Sequence, residues 1–315
     1  MSRRRRRRTC GRNLLLAVNK PYGEVTRAVD NLVGRALGDD GVGHIGTLDP
    51  AVTGVLVLAV GQARKLIPCI EEGRRKAYRA RISFGVQTDT DDAQGTPIRE
   101  AQVPERVADQ AYAKDVLATL VGPGKQRPPR FSAIKVDGVR AYDRARAGEE
   151  FELPERDIVV YEASLLGVGS LDNLYWDCDF VVSPGTYIRA IARDLGTMAG
   201  SAAHLGSLCR TASGLVTLED CVDPQRIVDL GVEDVGAIAL DPAKVLGFPI
   251  VELGSKDLES VRNGRAFAPR DLGSAEEGAL LSLVRDGMLY GVWRLEAGML
   301  RPHVNCTLGV EGVRA

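Results

Sequence analysis

The segment GVGHIGTLDPAVTGVLVLAVG, Gly41 to Gly61, constrains the chain most tightly. Its second half, Thr53 to Gly61, is a continuous apolar run bounded by glycines and predicts a buried strand. The glycine-rich first half is therefore a loop tethered to the core at its exit, where Pro50 stiffens the backbone. Gly41 to Gly46 spells Gly-x-Gly-x-x-Gly. A dinucleotide site of that form needs a strand before the first glycine, a helix opening after the last and an acidic residue about 20 positions on. Here Val25, Ala28, Val29, Leu32, Val33 and Leu37 keep helical spacing up to the loop, Thr-Leu-Asp-Pro follows Gly46, and Gln62, Ala63 and Arg64 stand where the carboxylate is required. That context excludes a dinucleotide site. The loop can instead be a holder for Asp49, with Gly43 and Gly46 freeing the backbone. On spacing alone the plainer alternative, a turn aspartate before proline, is favoured.

The remaining chain alternates strands and helices. NLLLAVNKPYG predicts a short strand ending in a turn at Lys20-Pro21. In KAYRARISFG, Tyr78, Ala80, Ile82 and Phe84 share one face, and Arg79, Arg81 and Ser83 the other. Asp89 to Glu100 imitates a calcium loop, but Gln94 occupies the place that requires glycine, so a polar turn is predicted. VPERVADQAYAKDVLATLVG predicts an amphipathic helix with Pro104 in its first turn. GPGKQRPPRFSAIKVDGVRAYDRARAG is basic, rich in Pro and Gly, and too long for a routine connection, which marks a functional loop. NLYWDCDFVV predicts a strand that breaks at Ser183-Pro184-Gly185 before a helix carrying Tyr187, Ile188, Arg189 and Arg193. From Ile250 to Gly309 the texture is that of a small β-rich domain.

Charge and cysteine usage narrow the partners. Six of the 41 basic residues are Arg3 to Arg8, so the rest of the chain carries 35 against 42 acidic ones. A nucleic-acid ligand would need local basic clusters, and Lys125, Arg127, Arg130, Lys135, Arg140, Arg144 and Arg146 form one. The arginine run itself fits a solvated tail or a nucleic-acid-binding arm equally well. The six cysteines are scattered without a Cys-x-x-Cys pair, which matches neither a disulfide framework nor a zinc site. With no membrane span or export signal in the sequence, a reducing cytoplasm is expected.

Several segments resemble, in order, the motifs of the TruB family of tRNA pseudouridine synthases. GHIGTLDPAVTG (Gly43 to Gly54) is similar to the family's catalytic-aspartate motif, and NKPYG to its Lys-Pro motif. KAYRARISFGVQTDTDDAQG resembles its tyrosine strand and acidic turn, and RPPRFSAIKVDGVRAYDRARAG its RNA-gripping insertion. GTYIRAIARDLG resembles its arginine motif, and AHLGSLCRTASG the motif after it. Ile45, Cys209 and Arg27 depart from the family pattern, and Cys209 removes an arginine usual at that place.

The resemblance implies an α+β pseudouridine synthase fold: a mixed, mainly antiparallel sheet with flanking helices and a basic insertion, followed by a small β-rich PUA-like domain. The implied boundaries are a basic disordered arm over 1–12, a catalytic domain over 13–246 with the insertion at about 124–152, and the PUA-like domain over 249–310. The implied activity is an isomerase reaction, an intramolecular transfer converting uridine 55 in the TΨC stem-loop of tRNA to pseudouridine by base flipping. No cofactor, metal, membrane or obligate protein partner is implied, and a monomer is expected. Asp49 is then the catalytic carboxylate, nucleophile or base. It is expected to be buried and kept ionised by Arg189, since desolvation alone would neutralise it. Tyr78 is expected to stack on the flipped uracil, Tyr187 and Leu208 to line the same pocket, and His44 to enter the RNA stack. Lys20 is expected to support the site. Lys125, Arg127, Arg130, Arg146, Arg193 and Arg210 are expected on RNA phosphates, with the insertion ordering as RNA binds. Taken without the resemblance, Tyr78 and Leu208 would be core residues and Arg189 a surface arginine. A non-catalytic RNA-binding protein of the same architecture is the alternative. A glycoside-type hydrolase would need two opposed carboxylates, and one is found.

Overall fold

The computed structural model describes residues 9–72, 74–132, 134–136, 138–149, 151–170, 173–269 and 275–314. The run Arg3 to Arg8 lies outside the described residues. The chain divides into two compact units, Met1–Arg74 with Ala212–Ala315, and Arg75–Thr211.

The first unit opens with β1 (Leu14–Lys20), α1 (Thr26–Leu37), β2 (Gly43–Ile45) and β3 (Val52–Val60). β3 is the apolar run read from the sequence, and Val55 to Val60 are fully buried. β1 pairs with it antiparallel from Leu14↔Val60 to Lys20↔Gly54, and β2 pairs with it from Gly43↔Ala59 to Ile45↔Val57. The Gly-x-Gly-x-x-Gly segment thus ends in a strand and a turn, with no helix to receive a pyrophosphate. A Cβ on Gly41 would collide with the Arg64 guanidinium, and Gly46 adopts φ 69°, the left-handed region that favours glycine.

The second unit is built on β4 (Lys76–Phe84), β5 (Gly122–Gln126), β6 (Arg156–Ser170), β7 (Leu174–Val182) and β8 (Ala203–Ser213), in the order β8-β4-β7-β6-β5. Neighbours from β4 to β5 are antiparallel. The alternation read in β4 is realised across the ladder. Arg79 and Arg81 face Asp179 and Asp177 and bond to them through paired contacts of 2.8–3.0 Å. On the other face Tyr78, Ala80, Ile82 and Phe84 join a core with Trp176, Phe180, Ile188 and Ile191. Trp176 packs edge-on to Phe84 at 4.7 Å and donates its Nε1–H to the Val107 carbonyl.

Where one helix with Pro104 in its first turn is predicted, two elements form: a 3₁₀ turn, Glu105–Ala108, and α2 (Gln110–Ala118). Asp109 is extended between them, and its carboxylate accepts the amides of Ala111 and Tyr112, restarting the helix as an N-cap. Residues 124–152 contain the end of β5, a tight hairpin and the short helix Ala141–Arg146, with Ile134, Ala141 and Leu153 forming a small core. Next comes α3 (Ile188–Met198).

The chain returns to the first unit at Ala212, passes through helices Pro224–Asp234 and Pro242–Leu246, and ends in β9 (Ile250–Glu252), α4 (Ser255–Arg262), β10 (Leu280–Arg285), β11 (Met288–Glu296) and β12 (Met299–Glu311), whose strands form a four-stranded sheet in sequence order. One set of its residues, including Leu281, Trp293 and Leu300, buries a separate core. Val284, Val292 and Cys306 instead join the core of β1 and β3. Arg12, grouped by sequence with the disordered arm, is fixed to this sheet: its guanidinium bonds both Glu311 oxygens at 2.7–3.1 Å and the Val232 carbonyl at 2.6 Å. Among the described residues no helix is long and apolar enough to cross a membrane.

Two fully buried cysteines couple the fold to pH. Burial pushes the thiols of Cys178 and Cys306 from an ordinary 9.0 up to about 12. A thiol raised in the folded state favours folding below its ordinary value, and that contribution is lost as pH rises through the folded value, because the unfolded chain ionises first. The urea midpoint is expected to fall between about pH 9 and about pH 12, and to fall less in Cys178→Ala/Cys306→Ala. An equal fall in both proteins would exclude the thiols as its source.

Candidate active site

Asp49 sits in a segment, residues 46–51, with no helix or strand of its own, so other groups must fix its backbone. Lys20, at the end of β1, is 0% exposed, and its ammonium donates to the carbonyls of Pro21, Glu24 and Pro50 at 2.8, 2.7 and 3.2 Å. Burial lowers its pKa, opposed by the charges of Glu24 and Asp49. The Gly23 amide reaches the same Pro50 carbonyl at 2.9 Å. On the other side of Asp49, the Thr26 hydroxyl donates to the Leu48 carbonyl at 2.8 Å and accepts the Leu48 amide at 3.1 Å. Glu71 accepts the Gly46 amide at 2.8 Å, and the Asp49 carbonyl accepts the Val52 amide at 3.0 Å.

Asp49 itself is exposed, which corrects the expectation of a buried carboxylate: its neighbours Leu48 and Lys20 are buried and it stands at the turn they hold. His44, on β2, is gripped from both ring nitrogens. Nδ1 lies 2.8 Å from Asp30 Oδ2 and Nε2 lies 3.1 Å from Thr47 Oγ1. The arrangement offers one carboxylate on a rigid backbone, the requirement for a positioned nucleophile or base.

In the second unit, Tyr78 is 8% exposed and packs in the same core against which Leu208 lies. Tyr187 packs on Ile134, Ala141 and Leu153, and its backbone exchanges hydrogen bonds with the Gln126 side chain at 2.9 and 3.1 Å. Arg189 is 7% exposed rather than a surface residue. It donates to the carbonyls of Thr90 at 2.9 Å and Phe131 at 3.1 Å, with Asp92 3.8 Å away. Arg193, a turn along α3, binds Asp91 at 3.1 Å, Asp194 at 2.9 Å and the Arg127 carbonyl at 2.9 Å. Burial pushes the Asp91 carboxyl up, and Arg193 and Arg189 pull it back. These carboxylates are therefore turned towards arginines and the turn's own backbone, where Asp89 and Asp92 accept the amides of Thr96 and Gln94.

Of the basic residues assigned to phosphates, Lys125, Arg127, Arg130 and Arg146 are exposed, and the first three line a cleft of about 540 Å³ together with Arg193. Arg210 is fully buried. Lys135 and Arg140 have side chains outside the described set. Thr26, Asp30 and Glu71 do not stand out in the sequence. Thr26 occupies the first turn of a helix, where hydroxyls ordinarily cap, yet Val25 is the N-cap and the hydroxyl bonds 22 residues away.

Residues 35–188 match the family model described as TruB family pseudouridylate synthase, N-terminal domain. The chain is 34% identical over 290 residues to tRNA pseudouridine synthase B of Deinococcus radiodurans, covering 83% of this chain and 91% of that one. It is 36% identical over 295 residues to the protein of the same name from Thermobifida fusca, covering 92% and 97%. The chain belongs to the TruB family.

Solved structures share the TruB protein's fold at low identity. A Cbf5-Nop10-Gar1 complex matches with TM-score 0.65 and 21% identity over 92% of this chain and 80% of that one. An H/ACA RNP bound to a substrate RNA containing 2'-deoxyuridine matches with TM-score 0.66 and 19% identity over 94% and 85%. The TruB family match includes the whole loop from Lys20's partner Pro50 back to His44. In Thr26→Val the Leu48 amide and carbonyl lose their buried partner, so stability is expected to fall by about 1–3 kcal/mol and exchange of the Leu48 amide to accelerate. Unchanged exchange at Leu48 would show that Thr26 does not hold the loop.

Proposed function

We propose that this TruB protein isomerises uridine to pseudouridine in tRNA, with position 55 of the TΨC stem-loop as the target. The observation that carries the proposal is the fixed Asp49 turn, in a chain at least 34% identical to proteins curated as tRNA pseudouridine synthase B. The reaction cuts the uracil N1–C1′ bond, turns the base and joins C5 to C1′; N1 gains a proton and C5 gives one up, so atoms are conserved. Asp49 starts it as nucleophile or base. Tyr78 supplies a ring for the flipped uracil, with Tyr187 and Leu208 beside it, and Arg189 supplies a cation for the reacting carboxylate. His44 takes the place the base leaves in the RNA stack. Unstacking costs a few kcal/mol, offset by phosphate contacts from Lys125, Arg127, Arg130 and Arg146 and by RNA contacts of a PUA-like C-terminal domain. A tRNA substrate accords with a cytoplasmic protein acting as a monomer.

Asp49→Asn is expected to abolish pseudouridine formation in a tRNA stem-loop while retaining RNA affinity. Undiminished formation by that variant removes Asp49 from the chemistry, and an inactive wild-type protein would favour an RNA-binding protein of this architecture. For the arginine run, deletion of residues 1–8 is expected to weaken RNA binding and flatten its salt dependence without slowing single-turnover chemistry. A salt slope equal to that of the full chain would reduce the run to a solvated tail.

A further inference from the structure

α1 is amphipathic, and its buried face includes Thr26, Val29, Asp30, Val33 and Leu37. Asp30 is the anomaly. It is 2% exposed, its Oδ2 lies 2.8 Å from His44 Nδ1, and its Oδ1 is buried with no hydrogen-bond partner among the described residues. The Arg27 guanidinium reaches Oδ2 at 3.4 Å from a side chain 70% exposed, too solvated to compensate a buried carboxylate. A half-satisfied buried carboxylate costs stability, and a residue serving the fold alone would be better as an apolar side chain. Besides that solvated guanidinium, what Asp30 gains for that cost is its contact with the imidazole.

We propose that Asp30 is the positioning residue for His44, fixing both its tautomer and its ring plane for contact with substrate RNA. The proposal rests on the reading that His44 meets RNA. A carboxylate only accepts, so the bond at 2.8 Å requires the proton on Nδ1. In the neutral ring Nε2 is then an acceptor, and the Thr47 hydroxyl at 3.1 Å donates to it. With both ring nitrogens engaged, the side chain cannot rotate about χ2 without losing two bonds. The ring is thus set before RNA arrives, and the entropy of ordering it does not oppose binding. Thr26 and Asp30 stand one helical turn apart on α1, so the same helix face that holds Leu48 also holds the residue that meets the RNA.

Nitrogen-15 NMR of the wild-type ring, taken at a pH where the ring is neutral, tests the tautomer without any variant: the proton is expected on Nδ1, and a neutral ring protonated at Nε2 would overturn the proposal. In Asp30→Asn, whose amide can donate to Nδ1, the ring is expected to shift towards the Nε2–H tautomer. Affinity for the stem-loop is expected to drop about tenfold, the scale of one charged hydrogen bond. In a His44→Ala background Asp30→Asn is expected to change affinity little, because the residue through which it acts is gone. An equal loss in both backgrounds would make Asp30 merely structural. If wild-type protein forms no pseudouridine, the functional reading falls, while the NMR result still decides the tautomer. If the wild type is active and Asp30→Asn binds as tightly as it does, this inference alone falls.

Discussion

The Asp49 turn depends on backbone carbonyls and amides that must not be left to water. Residues 46–51 form no ladder, so their polar groups need partners from elsewhere, and a buried group without one costs as much as the bond it lacks. Lys20 and Thr26 meet that requirement from opposite sides. An ammonium with three carbonyl acceptors is an expensive solution: burying a charge at 0% exposure is tolerable because each donor is satisfied and the neighbouring carboxylates offset part of the desolvation. The result is rigid in a way a glycine turn alone would not be. Gly46 permits the left-handed kink, but Glu71 on its amide selects it.

The second unit solves a similar problem with arginines. The insertion around 124–152 has a core of a few side chains, too small to position it by hydrophobic burial alone. α3 holds it instead. The Tyr187 backbone is stitched to the Gln126 side chain, while Arg189 reaches the Phe131 carbonyl and Arg193 the Arg127 carbonyl. None of these contacts uses the exposed side chains of Lys125, Arg127 and Arg130. The acidic turn at Asp91 and Asp92 sits behind the arginines as their counter-charge, which is why it looks like a cation loop in sequence while facing guanidinium groups.

Periodicity made much of this fold legible. The apolar run of β3 and the alternation of β4 specify buried and half-buried strands because each side chain's face follows from its position modulo two. The break at Asp109 was not legible, since an aspartate within a helical pattern reads equally as a solvated residue until its carboxylate is seen on two amides. At the site, ordered motifs pointed to Asp49, His44 and Lys20, but not to Thr26, Asp30 or Glu71. Those three act through bonds spanning 22, 14 and 25 residues, and no local rule carries information over such distances. The C-terminal sheet shows the same limit. Its strands were readable, whereas the sharing of Val284, Val292 and Cys306 with the core of β1 and β3 is a tertiary fact.

The exposure of Asp49 bears on how the proposed chemistry would work. A nucleophile or base gains from a dry surrounding, because charge interactions strengthen as water leaves. Asp49 is exposed, and what the described residues fix is its position, through Lys20, Thr26 and Glu71. In the proposed reaction the covering comes from the substrate, with stacking and phosphate contacts expelling water as the nucleotide seats. Binding energy from parts of the RNA remote from the reacting base would in that way be used at the reacting atoms, and a truncated substrate would lose rate as well as affinity. A carboxylate fixed in place but open to solvent suits an enzyme that must admit a flipped nucleotide of a folded RNA and release it again.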